Sequence, residues 1–253
     1  DVDLLRALAS PEARRVGGLG VSRLAEITGR EKSQVSRALK SLGEVGLVAR
    51  DPESRRYQIG WQLVALTAGS EEMHMLEEAH GPLDTLLTEL DEPVHLCVLY
   101  GANVMTLITQ FPHRRRAPGL TAPVVPAHRT SAGRALCADH TDTQLARRFA
   151  EVDLASGEPA GRVQNLNDLA TEVLKGRDQG YATVDEELEP GLVGASAPVR
   201  NEAGQIVAAI NVSARKERID DLDAVGRATA RAAAALSRAL GWSTRSYGQT
   251  KLS

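Results

Sequence analysis

The feature that most limits this chain lies between Val21 and Val45. Two apolar runs of helical spacing, Val21, Leu24, Ala25 and Ile27 and then Val35, Ala38, Leu39, Leu42 and Val45, are separated by only Gly29-Arg30-Glu31. So short a turn, opened by glycine, ends one helix and starts another at a sharp angle, which predicts a helix-turn-helix. Val2, Leu4, Leu5 and Leu8 supply a helix before it, and residues 14–20 read as a loop. After Gly46, residues 47–50 and 56–59 read as strands around the turn Asp51-Pro52-Glu53-Ser54. Three helices and a hairpin make a winged helix-turn-helix, expected over residues 1–60.

The polar side of the second helix bears on function. Lys32, Ser33, Gln34, Ser36, Arg37 and Lys40 lie off its apolar stripe. Gln reads adenine and Arg reads guanine through paired hydrogen bonds, while Ser and Lys hold phosphates. Arg50, Arg55 and Arg56 gather around the wing, where they suit a phosphate backbone or a minor groove. Residues 1–60 carry 11 Lys and Arg against 8 Asp and Glu, although the whole chain has a net charge of −3. Double-stranded DNA is the partner these features predict; a merely solvated helix face explains the helix but not the arginine-bearing hairpin. Gly17-Gly18-Leu19-Gly20 lacks both the preceding strand and the glycine spacing of a nucleotide-binding loop.

From residue 61 to about 90 the pattern is helical again, with interruptions expected near Gly69-Ser70 and at Gly81-Pro82. Residues 61–80 read as a linker helix, 81–243 as a second domain and 244–253 as a flexible tail. Leu63, Val64, Leu66, Met73, Leu76 and Leu83 are more apolar surface than one small wing could cover, so this region is expected to join subunits. Strands are expected at 94–99 and 104–109 around Tyr100-Gly101-Ala102-Asn103, and at 181–185, 194–199 and 205–213. Helices are expected at 132–138, 142–151, 168–178 and 220–240. The second domain is therefore α+β with a mainly antiparallel sheet. No run approaches the roughly 18 apolar residues of a membrane helix, so no membrane partner is expected. Two cysteines make no disulfide framework and the first residues do not resemble a secretory signal, which sets the expectation of a cytoplasmic protein.

The stretch KSQVSRALKSLGEVGLVARDPESRRYQIG, Lys32 to Gly60, resembles the N-terminal domain of the IclR family of bacterial transcriptional regulators. The likeness continues through His128-Arg129-Thr130-Ser131-Ala132-Gly133-Arg134-Ala135-Leu136, which is similar to a His-x-x-Ala-x-Gly-Lys-Ala segment. It extends to Arg177-Asp178-Gln179-Gly180-Tyr181, to the acidic Asp185-Glu186-Glu187 with Gly191, to Ala197-Pro198-Val199 and to 208–213. Their shared order over nearly the whole chain is more specific than any single match. The resemblance implies a GAF-like effector-binding domain behind the winged helix, and a homodimer or dimer of dimers. It also implies a pocket for a small effector, often a carboxylate or aromatic acid, at Ser131, Ala132, Val184, Gly194, Asn211 and Ser213. Where the glyoxylate-responsive type has Asp and Cys, this chain has Val184 and Gly194, which implies a roomier and more apolar pocket.

Other chemistries fit less well. Ser131, His128 and Asp185 have the residue types of a hydrolytic triad, but no Gly-x-Ser-x-Gly elbow surrounds the serine. His95-x-Cys97 and Cys137-x-x-His140 are possible ligand pairs without a recognised zinc spacing between them. Asp185-Glu186-Glu187 reads as a solvated loop, and Arg114-Arg115-Arg116 as a pocket rim or solvent face. No catalytic residue, metal or cofactor is called for. The expected function is a transcriptional regulator whose operator affinity answers to a small organic or aromatic acid. The alternative is a ligand sensor acting through protein partners, with the winged helix as a dimerisation element.

Overall fold

A computed structural model describes residues 1–112, 124–157 and 161–243; Arg114-Arg115-Arg116 and the tail at 244–253 lie outside the described residues. Contacts divide the chain into two compact units, the first ending at His74 and the second beginning at Met75.

The first unit runs α1 (Val2–Leu8), α2 (Pro11–Val16), α3 (Val21–Thr28), α4 (Lys32–Glu44), β1 (Val48–Arg50), β2 (Tyr57–Ile59) and α5 (Trp61–Thr67). Leu4, Leu8, Leu24, Val35, Leu39, Val48 and Tyr57 form its core, so each helix contributes the apolar positions that its periodicity marked. The loop expected at 14–20 is helical in its first half. Ser10 caps α2 by accepting the Ala13 N–H at 3.2 Å, and Pro11 sits in its first turn. With Ala13 as its sole buried residue, α2 has no apolar stripe for a periodicity reading to find. The glycines after it serve packing: Gly18 has φ +104°, and a Cβ there would stand 2.6 Å from the Tyr57 carbonyl oxygen. That close approach lets Leu19 and Tyr57 exchange backbone hydrogen bonds at the root of the wing.

The second unit contains most of α6 (Glu71–Leu90), then β3 (Val94–Tyr100), β4 (Asn103–Gln110), β5 (Val124–Pro126) and a 3-10 turn at Ala127–Arg129. There follow α7 (Ser131–Leu136), α8 (Asp142–Arg148), α9 (Leu166–Gln179), β6 (Ala182–Asp185), β7 (Leu192–Arg200), β8 (Ile206–Arg215) and α10 (Leu222–Ala239). The sheet order is β5-β4-β3-β8-β7-β6, antiparallel at every pairing, which gives the α+β domain that the sequence predicted. Strand alternation sends Leu96, Ala195, Ala197, Ile210 and Val212 into one core with Leu83, Leu86 and Leu236 of α6 and α10. Cys97, Ala182 and Ala209 enter the other core with Leu136, Leu145, Phe149 and Leu169.

The break expected at Gly81-Pro82 does not occur, and α6 runs through the proline. Met75, Ala79, Leu83 and Leu86 form one buried stripe on either side of it. Burying those side chains outweighs the roughly 3 kcal/mol that an internal proline costs a helix.

Candidate functional site

Two places in the molecule gather the residues singled out from sequence. In the first unit α3 ends at Gly29, whose φ of +64° turns the chain, and α4 begins two residues after Arg30. Lys32, Ser33, Gln34, Ser36, Arg37 and Lys40 are all exposed on α4, while Val35 and Leu39 are buried beneath it. At a hundred degrees per residue, Ser33, Ser36, Arg37 and Lys40 share the face opposite the core. The wing is braced by Asp51, whose Oδ1 accepts from the Ser54 N–H at 2.6 Å and from its hydroxyl at 2.7 Å. Those bonds hold the Asp51 carboxyl below its ordinary pKa. Arg55 is exposed with φ +58°, a left-handed conformation at the tip. Arg50 lies over the Tyr57 ring at 5.3 Å, and Arg56 donates to the Val16 carbonyl, so both are also engaged with the wing's own base.

In the second unit, α7 and the sheet strands meet around a cavity of about 370 Å³. Thr130 caps α7, its hydroxyl oxygen accepting the Gly133 N–H at 3.0 Å. Gly133 permits the seat of this helix, since a Cβ there would overlap the Ala127 carbonyl. Val184 of β6 pairs with Gly194 of β7, which pairs with Ser213 of β8, making one row across the sheet. The neighbouring row runs Ser196, Asn211, His95 and Thr109 over β7, β8, β3 and β4. Ser131, Ala132, Val184, Gly194, Asn211 and Ser213 all line this one cavity.

Its polar end is a hydrogen-bonded cluster. Ser131 Oγ lies 2.9 Å from Ser196 Oγ and 3.2 Å from Asn211 Oδ1, and Ser196 donates to the same oxygen at 2.8 Å. Ser131 is thus neither the helix cap nor a partner of His128. The His128 ring packs edge-on against Phe149 with both nitrogens buried and, among the described residues, unbonded, while Asp185 pairs with Lys216. The three residues of an imagined triad therefore have separate partners.

Sequence reading missed His95 as a cavity residue, together with Cys97, Thr106 and Arg129. His95 Nδ1 lies 2.9 Å from Thr109 Oγ1 and Nε2 lies 2.9 Å from Ser213 Oγ, so hydroxyls occupy both nitrogens of this suspected metal ligand. The detectable signal was the set of polar residues, His95, Thr106, Thr109 and Ser196, within otherwise apolar strands. Burial pushes the His95 pKa down to about 4 from the ordinary 6.5 and pushes the Cys97 thiol up to about 12. Both groups are neutral near pH 7.

The depressed histidine makes a testable statement about stability. Between about pH 6.5 and 4 the unfolded chain binds a proton that folded His95 refuses. Stability from this group is therefore complete above 6.5 and lost as the pH falls toward 4, by at most about 3 kcal/mol. Urea unfolding at pH 7 and pH 4.5 should show that fall, with a shallower slope in His95→Gln. Equal slopes in the two proteins would show that His95 titrates normally.

The acidic segment is not uniformly solvated as expected. Asp185 and Glu186 pair with Lys216 at the surface, but Glu187 is 3% exposed and meets Arg134, itself 1% exposed. The two side chains form paired bonds of 3.0 and 2.6 Å, and the Arg162 N–H adds another to Glu187 at 2.9 Å. Arg129 donates to the Glu187 carbonyl oxygen at 2.5 Å and to that of Ser156 at 2.7 Å. These arginines fasten the 185–189 segment, whose Leu188 and Glu189 form one wall of the cavity.

Comparison with known proteins places this arrangement. Residues 68–238 match the bacterial transcriptional regulator IclR C-terminal domain, and residues 2–52 match the IclR helix-turn-helix domain. The chain is 32% identical over 245 residues to the glycerol operon regulatory protein of Streptomyces griseus, covering 94% of this chain and 93% of that one. It is 26% identical over 237 residues to the regulator XynR of Escherichia coli strain K12, covering 88% and 90%. Among solved structures, an IclR homologue from Microbacterium hydrocarbonoxydans complexed with 4-hydroxybenzoate superposes with a TM-score of 0.74 at 19% identity, covering 88% of this chain and 91% of that one.

Proposed function

Since this chain belongs to the IclR family of bacterial transcriptional regulators, and so is a DNA-binding regulator, we propose that a small molecule in the α7–β8 cavity controls the affinity of its winged helix for an operator. The supporting observation is the convergence of Ser131, Ala132, Val184, Gly194, Asn211 and Ser213 on one cavity of a size suited to a small organic ligand. Hydroxyls and an amide gather at one end, while Val104, Val125, Val184, Leu188 and Leu192 supply apolar walls. The effector that fits has a polar or anionic head and an apolar or aromatic body. The 4-hydroxybenzoate in the Microbacterium structure has that character and is a sensible first probe. Calorimetry with paired aliphatic and aromatic acids, followed by titration of labelled operator DNA with and without the acid that binds, tests the proposal. An acid that binds the cavity and leaves operator affinity unchanged would overturn it. The regulator acts where its operator is, in the cytoplasm.

On DNA, α4 enters the major groove and the wing contacts the backbone. Arg37→Ala and Gln34→Ala should each cost roughly 1–3 kcal/mol at the cognate site and relax base preference. Arg55→Ala should weaken binding to all sequences alike and reduce its salt dependence. Anisotropy titrations at two salt concentrations against specific and scrambled duplexes read both effects. Unchanged site selection by the Arg37/Gln34 double variant would remove α4 from the groove. A duplex affinity insensitive to salt would instead favour action through protein partners.

The active species is at least a dimer joined through the α5 region. Every residue of α5 is at least partly exposed, with Trp61 85%, Leu66 65% and Val64 50% exposed. So much apolar surface in a short helix marks an interface. One winged helix also covers too few base pairs for useful specificity, so two are needed on a near-palindromic site. Sedimentation at micromolar concentration should show a dimer or tetramer, and Trp61→Glu with Leu66→Glu should shift it toward monomer. A monomer in the parent protein with full operator binding is the contrary result.

A further inference from the structure

Ser213 is backed by groups that the preceding reading does not use. Its hydroxyl meets His95 Nε2 at 2.9 Å, and His95 Nδ1 meets the Thr109 hydroxyl at 2.9 Å. Ser213 and His95 line the cavity, whereas Thr109 is not among its lining residues. A neutral imidazole offers one N–H and one lone pair, and a hydroxyl donates or accepts equally well. With hydroxyls at both ends, neither tautomer is favoured by an obligate donor or acceptor.

Each tautomer gives Ser213 a different face toward the cavity. With the proton on Nδ1, His95 donates to Thr109, Nε2 accepts the Ser213 hydrogen, and the serine offers lone pairs to a ligand donor. With the proton on Nε2, Thr109 donates to Nδ1, His95 donates to Ser213, and the serine hydrogen is available to a ligand acceptor. In the Ser131–Ser196–Asn211 cluster, Asn211 Oδ1 faces both hydroxyls, which leaves its amide N–H groups to a ligand's carboxylate. We propose that the Thr109–His95–Ser213 chain is a tautomeric relay that sets the hydrogen-bonding sense of the cavity. The effector class it suits carries a carboxylate at the Asn211 end and, at Ser213, either a hydroxyl or a carbonyl oxygen. Asn211 and Ser213 stand two residues apart on β8, roughly 7 Å, a spacing that para substituents on a benzene ring can bridge. The pair of ligands so accommodated is a benzoic acid with a para hydroxyl and one with a para formyl group. Burial, which keeps His95 uncharged down to about pH 4, keeps the relay neutral.

The ligand part of this inference rests on the effector role proposed for the cavity; the relay itself does not. In the full chain with 15N-labelled histidine, His95 should show nitrogen shifts averaged between tautomers. Saturation with 4-hydroxybenzoate should move them toward Nδ1–H, and 4-formylbenzoate toward Nε2–H. In Thr109→Val, Nδ1 faces a methyl group; an unmet lone pair is better tolerated there than an unmet N–H, so the proton settles on Nε2. The preference for the formyl acid over the hydroxy acid should then rise by roughly tenfold relative to the parent. Thr109→Ser should restore both tautomers and the parent ratio. A single parental tautomer that Thr109→Val leaves unchanged, or equal loss of both acids in that variant, overturns the relay. Should neither acid bind the parent, the assigned ligand class fails, and the nitrogen shifts of the parent and Thr109→Val still decide the relay.

Discussion

Arg134→Met should lower folding stability by about 3–5 kcal/mol, the cost of removing one member of a buried ion pair and leaving the other in place. Arg134 and Glu187 are both almost wholly buried and joined by two hydrogen bonds, with further contacts from Arg134 to Glu172 at 3.4 Å and the Thr183 carbonyl at 3.3 Å. Methionine fills much of the arginine stem but leaves Glu187 with the Arg162 N–H as its remaining described partner. Relief comes from removing the second charge as well. Arg134→Met with Glu187→Leu should recover most of the loss, since an apolar pair of similar volume has no ion to desolvate. Denaturant unfolding of the two single variants and the double variant measures the coupling. Additive losses would mean that the two groups do not depend on each other. Because the 185–189 segment forms a cavity wall, Arg134→Met should also weaken effector binding at concentrations where the fold persists.

Gly194→Leu should abolish effector response while leaving operator binding intact. A Cβ at Gly194 already lies 3.0 Å from Ser131 Oγ and 3.7 Å from Asn211 Oδ1, so even alanine presses on the polar cluster. Three further carbons enter a cavity of only about 370 Å³, and overpacking there costs roughly 1–3 kcal/mol locally. The winged helix is a separate compact unit with its own core, which is why DNA binding should survive. Val184→Asp is a subtler companion: its carboxylate would sit beside Gly194 in the same cross-strand row and should weaken an apolar ligand through desolvation. Calorimetry on the parent and both variants, with operator binding measured alongside, is the check. Full response in Gly194→Leu, or tight binding of two- or three-carbon keto acids by the parent, would place the effector elsewhere.

Local patterning was legible where an apolar period or a turn marked it. The α3–α4 pair follows from apolar period and a glycine stop, the β3–β4 hairpin from two strand-like runs around Gly101, and the exposed polar face of α4 from its spacing against Val35 and Leu39. Residues named by family resemblance at 131–132, 184, 194, 211 and 213 proved to share one cavity, because order along related chains carries information that spacing lacks. What the sequence left undetermined was decided by contacts between distant segments. Helix α2 is an exception, missed although its cap is local, since one buried alanine gives no apolar stripe; α6 ignores Pro82 because the second core buries its whole stripe. Glu187 looked like its neighbours in an acidic run until folding brought Arg134 to it across 53 residues. His95 likewise became part of the cavity through strand register, which sets it beside Asn211 on one side and Thr109 on the other. Helical period and turns are properties of a few adjacent residues and can be read from them. Register, burial and the pairing of charges exist only once the chain has closed on itself, and in this protein those decide which polar groups face the cavity.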